Sequence, residues 1–228
     1  NLTQRLNVTI NVMAKLLNKK RKNMKNGIIY TILKFILDNL KYLSLVEFFK
    51  YSFIKLFAKN SVKSKIKTSR IAVDTFIILK WAFVIIAMNQ GWNHTIITFF
   101  VWYLIYSNLY TYFYYHIWIP EALNTENFEI DRIRRRFITL MLSIGFSNLC
   151  FAFLVRHPYL ADFEWSENTP LNIKATWFSF ANSLTANYEY VKPITKDGVE
   201  ITITQLIVSF IFLTLILGKS IPQTNSTK

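Results

Sequence analysis

The chain has 228 residues, is 52% hydrophobic and 17% aromatic, and contains only 5 Gly and 5 Pro. A soluble domain of this length carries more charge and interrupts its apolar runs more often, so the composition points to an all-α integral membrane protein. The formal charge of +14 lies mostly in Lys19–Lys25, Lys59–Arg70 and Arg132–Arg136, each beside an apolar segment, which argues for headgroup contact and a cytoplasmic face and against a nucleic-acid partner. The one cysteine, Cys150, sits inside an apolar run, leaving no intrachain disulfide and no cysteine-based zinc site.

Beginning at Asn1 and not at a methionine, the chain reads as a processed or trimmed product. Residues 1–27 lack the order of a secretory signal, because the basic run follows the apolar residues. Residues 28–58 place Thr31, Lys34, Asp38, Lys41, Ser44, Ser52 and Lys55 on one stripe, opposite Ile32, Leu33, Ile36, Leu40, Leu43, Phe49 and Phe53. Glu47 and Lys50 break the apolar face, so a span is not expected. The pattern predicts an amphipathic helix that lies at the cytoplasmic interface or packs against a partner or another copy.

The first span is predicted at Ile71–Met88, with Asp74 near its basic end and Lys80 near its middle. An ionisable group at that depth requires protein or water around it. After an uncharged turn, the second span, Thr95–Ile119, is crowded with aromatics that suit packing and an interfacial belt. His116 there reads as a packing residue. Pro120 ends the helix, and a linker closes on Asp131-Arg132-Ile133-Arg134-Arg135-Arg136. These arginines stop where the apolar run begins, which fits an anchor and not a voltage-sensing ladder. The third and fourth spans are predicted at Phe137–Val155 and Ile201–Leu217. The basic clusters then put both termini in the cytoplasm and residues 157–200 outside, in a plasma (inner) membrane.

The outward segment carries Asp162, Glu164 and Glu167 without a basic residue among 157–169, either as a cation-concentrating vestibule or as ordinary solvation. Thr169-Pro170 gives a cap residue and a proline for the first helical position. Residues 171–184 suit a helix of about 20 Å, long enough to dip into the membrane and too short to cross it. Non-helical chain beyond it is tolerated at depth only against protein or water.

The order Phe178-Ser179-Phe180, Thr185, Tyr188, Pro193, Thr195, Gly198 resembles the pore signature of tetrameric potassium channels, over residues 137–218 and without a gap. The resemblance implies a pore helix and re-entrant loop between the last two spans, with Thr185, Ala186, Asn187, Tyr188 and Glu189 at the filter position. Gln205 falls where the family has Glu or Gln in its inner helix, and Ser209 where it often has a hinge glycine. Asn187 and Glu189 replace the filter glycines. Asn187 can take positive φ at modest cost and Glu189 poorly, so a narrow dehydrating filter is not expected.

The expected organisation is a basic interfacial region (1–70), a peripheral two-helix unit (71–120), a basic linker (121–136) and a channel-like pore module (137–228). The expected function is a subunit of a homotetrameric, weakly selective cation channel passing monovalent cations such as K+ or Na+. Glu189 would attract ions to the constriction. The other reading is a non-conducting scaffold of the same fold that anchors a cytoplasmic partner through the N-terminal region. No cofactor, metal or catalytic constellation is expected: no carboxylate pair, Ser/His/Asp set or phosphate loop is present, and Asp74 and Lys80 do not share a helix face.

Overall fold

The computed structural model describes residues 27–41, 44–58, 61–118, 130–166 and 170–220, with some side chains within them left out. The basic run Lys19–Lys25, linker residues 121–129, the His116 side chain and Glu167 lie outside what is described. The described residues are mostly helical, and among them four helices are long and apolar enough to cross a bilayer: Ser64–Gln90, Thr95–Phe113, Phe137–Arg156 and Lys196–Thr214. The chain is an integral membrane protein by that measure, with four spans where four were expected.

By its contacts the chain divides after Leu43. The first unit contains α1 (Ile28–Leu40), a helix with no buried residue. The second begins at Ser44, so the single helix expected over 28–58 is in fact two. Ser44 has an extended backbone (φ −76°, ψ 114°) and caps α2 (Leu45–Phe57). Its carbonyl accepts the Glu47 and Phe48 N–H groups at 3.1 and 3.3 Å. The Ser44 hydroxyl makes no cap hydrogen bond, so its carbonyl alone marks the helix start, and periodicity does not register such a break. The observed division therefore groups residues 44–70 with the spans.

α3 (Val62–Gln90) runs well beyond its apolar part at the basic end and stops at Gly91, whose left-handed backbone (φ 67°) closes the helix. α2 packs on it through Phe49 and Phe76, with ring centroids 5.5 Å apart. α4 (Thr95–Phe113) gives way to one π-helical turn, Tyr114–Trp118, so the regular second span is shorter than predicted. Tyr115 in that turn donates to the Glu47 carboxylate on α2. Burial of the phenol, with Glu47 beside it, raises its pKa far above the ordinary value.

α5 (Ile130–Arg156) is pinned to α3 and α4 at three heights. At the basic end, Arg135 donates to Asp74 at 2.8 Å. At mid-height, the Lys80 ammonium donates to Asn108 Oδ1 at 2.7 Å and lies 4.2 Å from the centre of the Phe146 ring. Asn108 in turn donates to the Ser143 carbonyl at 2.9 Å. The partners that Lys80 requires are thus an amide and an aromatic face. A chain of polar contacts across three helices holds the charge at depth. At the far end, His157 Nε2 donates to the Met88 carbonyl at 3.0 Å.

Burial holds the His157 imidazole below its ordinary pKa of 6.5; the Met88 bond opposes this, and the neighbouring Arg156 charge adds to it. The neutral form is the one that fits. A lowered folded-state pKa contributes stability that is fully present above about 6.5 and is lost as pH falls through the lowered value. Melting temperature is therefore expected to drop below pH 6.5, and His157→Gln is expected to flatten that dependence. An unchanged slope in the variant would remove His157 as its source.

Beyond α5, a 3-10 turn (Leu160–Asp162) leads into β1 (Phe163–Trp165), which pairs antiparallel with β2 (Val191–Pro193). No strand was predicted here, because three-residue strands are too short to show an alternating pattern and their partners lie far apart in sequence. Between the strands comes α6 (Leu171–Ser183), and after them α7 (Lys196–Ser220).

Candidate functional site

The short helix α6 runs antiparallel to α5. Near its start, Asn172 Oδ1 accepts from Arg156 Nε at 3.0 Å, at the end of α5. At its last turn, Ser183 Oγ accepts from Asn148 Nδ2 at 3.1 Å. Asn148 lies eight residues before Arg156, about 12 Å along the helix. On the other side, Asn182 donates to the Thr202 carbonyl at 3.1 Å and to Gln205 Oε1 at 3.0 Å, near the middle of the α7 span. The C-terminal end of α6 therefore lies level with the middle of two membrane-length helices.

A buried amide network holds it there. Gln205, with 0% of its surface exposed, donates through Nε2 to the Ser179 carbonyl at 2.7 Å and to Ser179 Oγ at 2.6 Å, with Asn148 Oδ1 at 3.5 Å. Ser179 Oγ donates to the Asn148 carbonyl at 2.6 Å. One glutamine thus joins α5, α6 and α7. Residues 175, 179 and 183 and residues 174, 178 and 182 recur every four positions, which puts the whole polar set on the buried side of α6. Gln205 was singled out in the sequence, and Ser179 stood within the pore-like signature; Asn148 and Asn182 were not singled out. A polar residue such as Asn148 inside a long apolar run is the signal that could have found them.

α6 ends in a Schellman turn. The Ala186 N–H reaches the Ala181 carbonyl at 2.8 Å, and the Thr185 N–H reaches the Asn182 carbonyl at 2.9 Å. The turn requires a left-handed residue at Thr185, which has φ 58°. Its hydroxyl donates to the Leu184 carbonyl at 2.6 Å. Asn187 can take a positive φ at modest cost, but among the described non-glycine residues the positive φ falls at Thr185, where the helix terminates. A β-branched residue there is strained, by about 1–2 kcal/mol. Thr185→Gly is expected to raise stability in thermal melts by about 1 kcal/mol; a loss of stability would show that the threonine contacts outweigh the strain.

The chain then runs exposed through Ala186, Asn187 and Glu189. Tyr188 is partly covered, its ring edge-on to Trp177 at 6.4 Å and 5.3 Å from Tyr190. Its hydroxyl is buried with no hydrogen-bond partner among the described residues. Burial raises the phenol's pKa, and Tyr190 adds to the rise. Ser209 is buried within an unbroken α7.

The residues read as an outer vestibule separate on inspection. The Asp162 carboxylate accepts from Thr195 Oγ1 at 2.7 Å, and the same hydroxyl accepts the Gly198 N–H at 3.2 Å. The Asp162 carbonyl accepts the Ile194 N–H at 2.9 Å. A Cβ on Gly198 would meet that carbonyl at 2.6 Å, so the glycine is needed for close approach. Asp162 thus clasps the start of α7 to the end of α5, at the mouth of the loop. Glu164 is exposed and stands opposite Lys192 across the hairpin.

No protein-family model, curated protein or solved structure matches the chain.

Proposed function

We propose that the chain is a subunit of a weakly selective cation channel, assembled as a homotetramer, with Thr185–Glu189 at its narrowest part and both termini in the cytoplasm. The observation that carries this reading is a helix that stops at mid-span height and hands over to exposed, non-helical chain bearing Thr185, Asn187 and Glu189. Lipid cannot solvate such backbone, so protein copies and water must surround it. The helix C-terminus directs the negative end of its dipole toward the same region, which favours a cation there. The likeness of residues 137–218 to the potassium channel pore family supplies the fourfold count and the register. The glycine-free loop accounts for weak selection: its carbonyls cannot all turn toward one dehydrated ion, so ions pass partly hydrated under the Glu189 carboxylates.

The test is the purified chain in a planar bilayer under asymmetric KCl. Currents that reverse near the cation equilibrium potential, with K+ and Na+ nearly equal, are expected. A silent bilayer with verified insertion would favour the non-conducting scaffold.

A further inference from the structure

The start of α6 lies at the opposite end of that helix from the pore-like loop, and what it binds does not depend on conduction. The helix begins without a side-chain cap, because Pro170 occupies the cap position (φ −52°, ψ 134°). The Pro170 carbonyl accepts the Ile173 and Lys174 N–H groups at 3.0 and 3.2 Å. The N–H groups of Leu171 and Asn172 have no acceptor among the described residues. They carry the positive end of the helix dipole. A helix start of this kind is common and by itself points to no ligand.

Lys174 supplies the second observation. It is one of the largest fully buried side chains, with 1% of its surface exposed, yet its ammonium has no hydrogen-bond or ion-pair partner among the described residues. Of the described carboxylates in the preceding segment, Asp162 is taken by Thr195 at 2.7 Å, and Glu164 is exposed opposite Lys192. Long side chains on a helix lean toward its N-terminus, so the Lys174 stem lies over residues 170 and 171, about 6 Å back along the axis. The two free N–H groups are at that level. One turn further on, on the same side of α6, Phe178 meets the Phe163 ring at 5.5 Å, so the surroundings are apolar. An ammonium closed into such surroundings without a counter-charge is among the costliest things a fold can bury. Arg156, whose Nε donates to Asn172 Oδ1 at 3.0 Å, brings a second positive charge to the same turn.

We propose that the start of α6 binds a compact monovalent anion such as chloride, held by the Lys174 ammonium and the Leu171 and Asn172 N–H groups. One ammonium and the partial charge of the helix end suit a single negative charge, and the close burial of Lys174 favours a small ion over a phosphate. Purified full-length chain in neutral detergent is expected to melt about 3 °C higher in sodium chloride than in sodium gluconate of equal ionic strength, with a gain that saturates as chloride rises. Sodium bromide should replace chloride. Lys174→Met keeps the stem and removes the charge, so it should melt alike in both salts and no lower than the unmodified protein in gluconate. A lysine satisfied by the chain itself would instead lower the melt equally in both salts when removed, and that result would overturn the proposal. Should the variant fail to fold, the chloride NMR line of the unmodified protein decides, broadening with protein and sharpening as bromide is added. Equal melts of the unmodified protein in the two salts, a chloride gain that survives Lys174→Met, or a line that bromide leaves unchanged would each overturn it as well.

Discussion

Gln205→Leu is expected to lower the melting temperature of the purified protein by several degrees and to abolish current. Leucine fills most of the volume but donates nothing, so the Ser179 and Asn148 acceptors and one Asn182 proton lose their partner at a site with 0% exposure. Buried groups left unpaired cost about 1–3 kcal/mol, whereas single hydrogen bonds between membrane helices average about 0.6 and reach about 1.7 kcal/mol. Several bonds converge on this one side chain, which puts the expected cost in the upper part of that range. In the proposed channel the effect on conduction is expected to exceed the effect on stability, because the network sets the depth at which α6 ends. Gln205→Glu separates the two: when protonated it keeps one donor and one acceptor, so currents should recover as pH falls. Normal currents in Gln205→Leu would mean that the loop is positioned by something other than these amides.

Glu189→Gln is expected to reduce cation current several-fold at low salt and to leave it nearly unchanged at high salt. Glu189 is exposed in the single chain, at the turn that precedes β2. In the proposed tetramer, four carboxylates around an axis would raise the local cation concentration while their field reached across the opening. That reach is the Debye length, about 30 Å at 0.01 M and about 3 Å at 1 M. Single-channel conductance measured between those limits decides the matter. A conductance ratio that does not change with salt would assign Glu189 a structural role, and no change at any salt would remove it from the ion path.

How far the sequence could be read depended on the range of the interactions. The four spans follow from the length and apolarity of each segment, and they were legible. The length of α6 was legible too, from Thr169-Pro170 at one end and the start of the filter-like segment at Thr185 at the other. Three features were not. The break at Ser44 is a single capping residue inside a continuous amphipathic stripe. The β1–β2 pair joins segments about 28 residues apart through three residues each, with no local signature. The partners of Lys80 and Asn148 lie on other helices, and a one-dimensional pattern gives the need for a partner without its identity. Asp162 shows the converse: an acidic residue in an outward segment reads as surface charge, yet its carboxylate and carbonyl clamp Thr195 and Ile194.

Thiol accessibility at the loop tests the account most directly. Cys150 is 0% exposed, so Asn187→Cys introduces one reactive thiol into a silent background. In the reconstituted protein, a charged, membrane-impermeant methanethiosulfonate is predicted to label Cys at position 187 quickly and to change the current as it does so. If only a lipid-soluble maleimide reached that thiol, or if labelling left the current untouched, Thr185–Glu189 would not line a water-filled path.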